Sequence, residues 1–346
     1  MSRFIGIDVG AEAIKVVEIT DDGGTQRWTR RHVVEHDKEP GGALLALLAD
    51  WDWPHVDGAT VTGRFSRLVQ LERVPTKQAQ SLGYRFIGDD QPATLVSIGG
   101  HGFSVLELRD SGVEVFRENS RCSQGTGNFL RQLVARFDMD IEAASALCAD
   151  VGDPAPLSGR CPVILKTDMT HLANKGESRA RILAGLYDAV CENVQVLIKP
   201  RLSPSRLLLV GGVQRARRVH DNFRRFVEKN DMTLLEGGEH ALFLEALGCA
   251  SLAARETTAR GVPALEALVA RAADVEIDQL PALSGFLGRV TRMVRTPAST
   301  TQEPEAVVLG FDIGSTGAKA VAIDPATKAL IWSGYVNTNG NPVGAA

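Results

Sequence analysis

The sequence predicts an α/β protein in which sheets and helices are layered and strands end in phosphate-sized turns. Three observations carry this. Segments of strand character alternate with segments of helical periodicity as far as residue 255. Glycine turns stand at three strand ends, in GIDVGAEAIKVVEI, TLVSIGGHGFSVLEL and LLLVGGVQRARR. Finally, FIGIDVGAEAIKVVEI at residues 4–19 returns as VLGFDIGSTGAKAVAI at 308–323, 304 positions later.

In chain order, strand patterns cover residues 4–8, 14–20 and 59–62. A second pair, 94–98 and 104–108, flanks Gly99-Gly100, and another strand follows at 113–117. Helical periodicity covers 42–48, 128–137, 141–149 and 179–198. A strand at 206–210 then runs through Gly211-Gly212 into helices at 217–228 and 241–255. Residues 256–305 are weakly helical and end in RTPASTTQEPE, a polar linker composition. The expected organisation is a first domain at 1–260, a linker at 261–304 and, from 305 to 346, the start of a second copy. That start is about forty residues, too few to bury a core, so a continuation beyond it is expected.

Composition narrows the function classes. The 346 residues are 44% hydrophobic and 23% charged, with a net charge of −4. No basic excess points to nucleic acid, and no apolar run of membrane length occurs, so neither partner is expected. With no signal-peptide pattern at the start, a cytoplasmic location is expected. Five cysteines without regular spacing do not make a disulfide framework, which leaves core thiols or metal ligands.

The turns suggest what the strands present. In the first, Gly10, Ala11 and Glu12 link two strands and offer backbone N–H groups to phosphate oxygens. Asp8 at the strand end can hold Mg²⁺ through water, because hard cations prefer carboxylate oxygen. Gly99 and Gly100 repeat the arrangement. Gly211, Gly212 and Val213 lead from a strand toward a helix, where backbone can approach a ligand closely. Neither a Walker A loop nor a Gly-x-Gly-x-x-Gly fingerprint is present. In the second copy Asp312, Gly314 and Lys319 fall in register with Asp8, Gly10 and Lys15, and Ser315 and Thr316 occupy the turn.

This order of turns resembles the acetate kinase–sugar kinase–Hsp70–actin superfamily, whose two-lobed, ribonuclease H-like fold clamps ATP between two phosphate hairpins and an adenosine loop. RCSQGTGNFL, GRCPVIL, LVGGV and EALGCASLAA narrow the resemblance to the BadF/BadG/BcrA/BcrD family of ATP-dependent activators of 2-hydroxyacyl-CoA dehydratases, with related benzoyl-CoA reductase subunits. It covers roughly residues 4–255. The resemblance implies a two-lobed actin-like ATPase followed by the truncated start of a second copy. It also implies ATP/ADP and Mg²⁺ as ligands, and a [4Fe-4S] cluster held by Cys122 and Cys161 across a homodimer. Both cysteines sit in polar, glycine-flanked loops, and a cubane needs four thiolates, of which one chain supplies half. Cys148, Cys191 and Cys249 lie on apolar helical stretches and are expected in the core. A sugar or acetate kinase of the same fold has no use for Cys122 and Cys161.

The sequence departs from the family at the second hairpin, which usually reads Asp-Ile-Gly-Gly-Gln-Asp and here reads Ser97-Ile98-Gly99-Gly100-His101-Gly102. Serine cannot act as a carboxylate base. The first turn carries Ala11-Glu12 where Ser-Thr is usual. Weak hydrolysis by the first domain is therefore expected, with Asp8 and Asp312 as the catalytic candidates. The expected function is ATP-coupled transfer of a low-potential electron to an iron–sulfur acyl-CoA dehydratase or reductase. The alternative is a degenerate nucleotide-binding, regulatory or scaffolding half of a larger protein.

Overall fold

The computed structural model describes residues 1–88, 90–118, 126–157, 161–255, 261–270, 283–291, 305–314 and 317–337. Met1–Ala273 forms one compact unit and Asp274–Ala346 another.

In the first unit, β1 (Ser2–Val9), β2 (Ala13–Asp22) and β3 (Thr25–Glu35) make an antiparallel meander. After α1 (Pro40–Leu48), β4 (Gly58–Thr62) returns parallel to β1, and β5 (Glu72–Arg73) adds a short parallel edge, giving the order β3-β2-β1-β4-β5. Helix α2 (Thr76–Phe86) leads to the second sheet.

That sheet repeats the plan. β6 (Ala93–Ile98), β7 (Phe103–Leu108) and β8 (Glu114–Glu118) form a second meander. Helices α3 (Gly127–Val134), α4 (Ile141–Cys148), α5 (Pro162–Asn174) and α6 (Arg179–Gln195) follow. β9 (Arg206–Val210) then pairs parallel to β6, and after α7 (Arg217–Lys229) β10 (Thr233–Leu235) pairs parallel to β9. The order β10-β9-β6-β7-β8 mirrors the first sheet, with one hairpin at the middle of each. The central strands are buried on both faces, which is why β1, β6 and β9 read as near-continuous apolar runs.

Helix α8 (His240–Arg255) packs against β1, β2, β4, β9 and α2. It is buried almost all round, as expected for a helix apolar on every side. Its contact with α2 is close enough that a side chain on Gly248 would sit 1.8 Å from the Ala79 carbonyl oxygen.

Residues 261–270, assigned to the linker by the sequence, pack on the first unit. Trp53 donates to the Pro263 carbonyl at 2.8 Å, and Leu268, within the short helix α9 (Leu265–Leu268), is fully buried beside Trp51 and Trp53. Gln70 N donates to Leu268 O at 2.7 Å and Ala270 N to Leu68 O at 2.9 Å. Burial of two tryptophans and a leucine outweighs the polar look of the flanking chain.

The second unit, taken by itself, contains the antiparallel meander β11 (Val308–Ile313), β12 (Gly317–Ile323) and β13 (Leu330–Asn337). Asp312 faces Lys319 across it, as Asp8 faces Lys15 across β1 and β2.

Candidate functional site

The first hairpin places Asp8 at the end of β1, 7% exposed. Lys15, its register partner on β2, donates to Asp8 Oδ2 at 2.8 Å. Burial works against the Lys15 charge, but the carboxylates of Asp8 and Glu245 outweigh it and hold the ammonium above its ordinary range. Gly63, just past β4, has φ of +97°, and a Cβ there would lie 2.5 Å from Asp8 Oδ1. The chain must be glycine for the carboxylate to keep its place. Gly10 N closes the turn on Ala13 O at 3.0 Å, which leaves Ala11 and Glu12 at the tip of the turn.

The second hairpin closes in the same way, Gly99 N donating to Gly102 O at 2.8 Å. Helix α3 is fastened to it. Thr126 caps the helix through Phe129 N at 3.4 Å, while Gly127 N donates to Gly99 O at 2.8 Å and Asn128 N to Gly100 O at 2.9 Å. Gly127 permits this, since a Cβ would lie 2.8 Å from Val213 Cγ2 and 3.3 Å from Gly99 O. Thr126-Gly127, the second turn and the third turn thus meet at one point.

Glu12 spans the two hairpins. Its Oε1 accepts from Lys38 Nζ at 2.6 Å and lies 3.7 Å from His101 Nδ1; its Oε2 lies 3.6 Å from Arg131. Partial burial pushes the carboxyl up, but the Lys38 hydrogen bond and charge, then Arg131 and His101, prevail and hold it below the usual carboxylate range. The tip of the first turn is therefore tied to the second turn and to α3 by charge.

Beyond β9, Gly211 N donates to Ala241 O at 3.1 Å, and Gly212 begins a short 3₁₀ turn through Arg215. A cavity of about 610 Å³ opens there, lined by Gln214, Arg215, Arg217, His220, Arg224 and Glu236 among others. Asp221, also in the lining, lies 3.6 Å from Arg217 and 2.9 Å from Arg224, so the cavity is polar and carries both signs of charge.

Cys122 lies outside the described residues. Cys161 caps α5, partly exposed, with Leu165 N donating to its carbonyl at 3.0 Å. Cys148, Cys191 and Cys249 are buried, and burial raises all three thiols, Cys148 to about 11. They are core residues. Among the described residues no group of three or more His, Cys, Asp or Glu is placed to hold a metal ion.

In the second unit Lys319 donates to Asp312 Oδ2 at 2.9 Å and Gly314 N to Gly317 O at 3.0 Å, reproducing the first hairpin. Ser315 and Thr316 lie outside the described residues. The sequence reading missed Gly63, Glu245, Lys38 and Arg131. Gly63 was legible as a glycine just past a strand; the others are brought in by tertiary packing alone.

Comparisons with known proteins agree on one lineage. The family model described as BadF/BadG/BcrA/BcrD ATPase family matches residues 5–241. An uncharacterised protein, YjiL, of Escherichia coli K12 is 27% identical over 270 residues, 75% of this chain and all of the relative. The activator of lactoyl-CoA dehydratase of Anaerotignum propionicum is 26% identical over 220 residues, 60% of this chain and 82% of that one. The solved activator of the 2-hydroxyisocaproyl-CoA dehydratase from Clostridium difficile, with bound ADPNP, superposes with a TM-score of 0.64 at 21% identity, covering 74% of this chain and 95% of that chain. It shares the two-lobed actin-like fold. No helix among the described residues is long and apolar enough to cross a membrane.

Proposed function

The chain belongs to the BadF/BadG/BcrA/BcrD ATPase family, and on that premise we propose that it is an ATP-dependent activator delivering a low-potential electron to an acyl-CoA dehydratase or benzoyl-CoA reductase-type partner. One observation supports this above others: Gly127 and Asn128, at the head of α3, donate to Gly99 and Gly100. The helix that follows the Cys122 loop is thereby bolted to the turn that would meet phosphate. A shift of that turn on nucleotide binding is carried directly to the cysteine loop.

In this reading Asp8, with Gly10, Ala11, Glu12 and Lys15, forms one wall of the nucleotide cleft. Gly99 and Gly100 form the other, and Gly211, Gly212 and Val213 border the nucleoside. Cys122 and Cys161 from each of two chains would hold a [4Fe-4S] cluster, which when bound supplies one electron at low potential. Chain residues 1–270 make the first activator domain, and residues 305–346 begin a second, with Asp312, Gly314, Ser315, Thr316 and Lys319 repeating the phosphate turn. The location is cytoplasmic, and neither nucleic acid nor membrane is a partner.

A second reading has its own observations. Ser97 and Gly102 bring no carboxylate to the second hairpin, and Glu12 puts a negative charge at the cleft mouth, so the first domain also fits a nucleotide-binding regulatory module that hydrolyses poorly.

Iron content separates the two. After anaerobic purification, Cys122→Ala and Cys161→Ala should each lose iron and weaken the dimer, while Cys148→Ala keeps both. Full iron in Cys122→Ala overturns the electron-transfer assignment and leaves the regulatory module.

A further inference from the structure

The floor of the cleft holds a carboxylate with an idle oxygen. Glu245 sits on α8, 6% exposed. Its Oε1 accepts from Gln80 Nε2 at 3.0 Å and from Ser97 Oγ, at the end of β6, at 3.3 Å. Its Oε2 has no hydrogen-bond partner among the described residues, and neither has Thr62 Oγ1, which is 1% exposed and in register with Asp8 on the neighbouring strand. Glu245 also acts electrostatically on Lys15, whose ammonium already pairs with Asp8 at 2.8 Å. Two carboxylates thus share one ammonium, and one negative charge is left over.

A buried carboxylate is costly unless its oxygens are completed by donors or a cation. Fixing α8 between the two sheets accounts for Oε1, through Gln80 and Ser97. It does not account for Oε2, for Thr62 or for the surplus charge. A divalent cation beside Oε2 would complete that oxygen and offset the surplus charge. Mg²⁺ keeps several waters and takes only one or two carboxylates, with phosphate oxygens completing its shell. A site of three or more acidic or His/Cys groups is therefore not required, in keeping with the described residues.

We propose that Glu245, together with Asp8, holds the Mg²⁺ of a magnesium–nucleotide complex through water, and that α8 supplies the carboxylate that Ser97 does not. The proposal rests on the nucleotide cleft described above. It concerns metal-linked binding and is independent of whether the nucleotide is hydrolysed.

The test uses the full 346-residue chain and titration calorimetry with ADP, first without metal and then with Mg²⁺. A second readout replaces Mg²⁺ by Mn²⁺ and follows the loss of the free Mn²⁺ EPR signal. Wild type should bind ADP more tightly with Mg²⁺. Glu245→Gln keeps an acceptor toward Gln80 and Ser97; it should bind metal-free ADP as wild type does while losing about 10- to 100-fold of the metal-dependent gain. Adding Ser97→Asp to Glu245→Gln should restore part of it. Should Glu245→Gln not fold, Glu245→Asp withdraws the carboxylate by one methylene and is expected to weaken the same gain. A full Mg²⁺ gain in the variant that folds overturns the proposal, as does metal-independent ADP binding by wild type. Failure of wild type to bind ADP at all overturns the cleft itself, and the proposal with it.

Discussion

Glu12 gathers Lys38, Arg131 and His101 around one carboxylate that is only 15% exposed. Burial pushes its pKa up, but the Lys38 hydrogen bond and the charges of Lys38 and Arg131 prevail and hold it below the ordinary value of 4.5. A depressed carboxylate contributes stability that is present above its unfolded value and disappears as pH falls through the lower folded value. Glu12→Gln should therefore lower stability at pH 7, and wild type and variant should converge below about pH 4. The size is modest, about 0.2–1 kcal/mol, because Lys38 and Arg131 are largely solvated. Thermal unfolding of both proteins from pH 7 to pH 3 checks this; a gap that widens in acid contradicts the sign. The same residue shows what sequence can and cannot reveal. Its charge in a glycine turn is legible from position alone, but its partners Lys38, His101 and Arg131 lie 26, 89 and 119 residues away and are supplied by folding. Asp8–Lys15 was legible because a hairpin of alternating residues fixes register. Glu245 was not, because a helix of almost continuous apolar character hides which of its residues turns toward Gln80 and Ser97.

Among the elements, the hairpins follow from period-2 patterning around glycine, whereas β3, α2 and α5 escaped the sequence reading. β3 reads TQRWTRRHVVE, an exposed and highly charged edge strand with little apolar alternation. α2 carries Gly83 and several polar residues yet is buried from Ala79 to Tyr84, since its packing on α8 overrides propensity. That packing has a direct test. In Gly248→Ala the new Cβ would lie 1.8 Å from Ala79 O and 2.9 Å from Gly83 N, and backbone cannot rotate aside as a side chain can. Separating α2 from α8 should cost about 1–3 kcal/mol or more, read as a lower urea midpoint for the protein. A loss of stability below about 0.5 kcal/mol, the range of ordinary surface substitutions, would show that the two helices are not in close contact.

At the scale of the molecule, the first unit is two sheets of one plan, β3-β2-β1-β4-β5 and β10-β9-β6-β7-β8, each with a glycine hairpin on its central strand. The alternation of strands and helices made the α/β class legible, and the recurrence 304 positions later made the β11–β12 hairpin legible. The two hairpins and the two-lobed plan were legible, through Gly99-Gly100 and the family resemblance, whereas the matching strand order of the two sheets was not, because they share topology rather than sequence. The equivalence of β1 and β6 sets the hairpins opposite each other, α3 is bonded to the second of them, and the proposed function takes that attachment as its link from nucleotide to cysteine. The link is tested most directly by the EPR spectrum of the dithionite-reduced chain, purified anaerobically and recorded with and without magnesium–ADP. A cluster signal from about four irons per dimer is expected, with a line shape that changes when nucleotide binds. A spectrum that is identical with and without bound nucleotide, or that lacks a cluster signal, contradicts the coupling of cleft to cysteines.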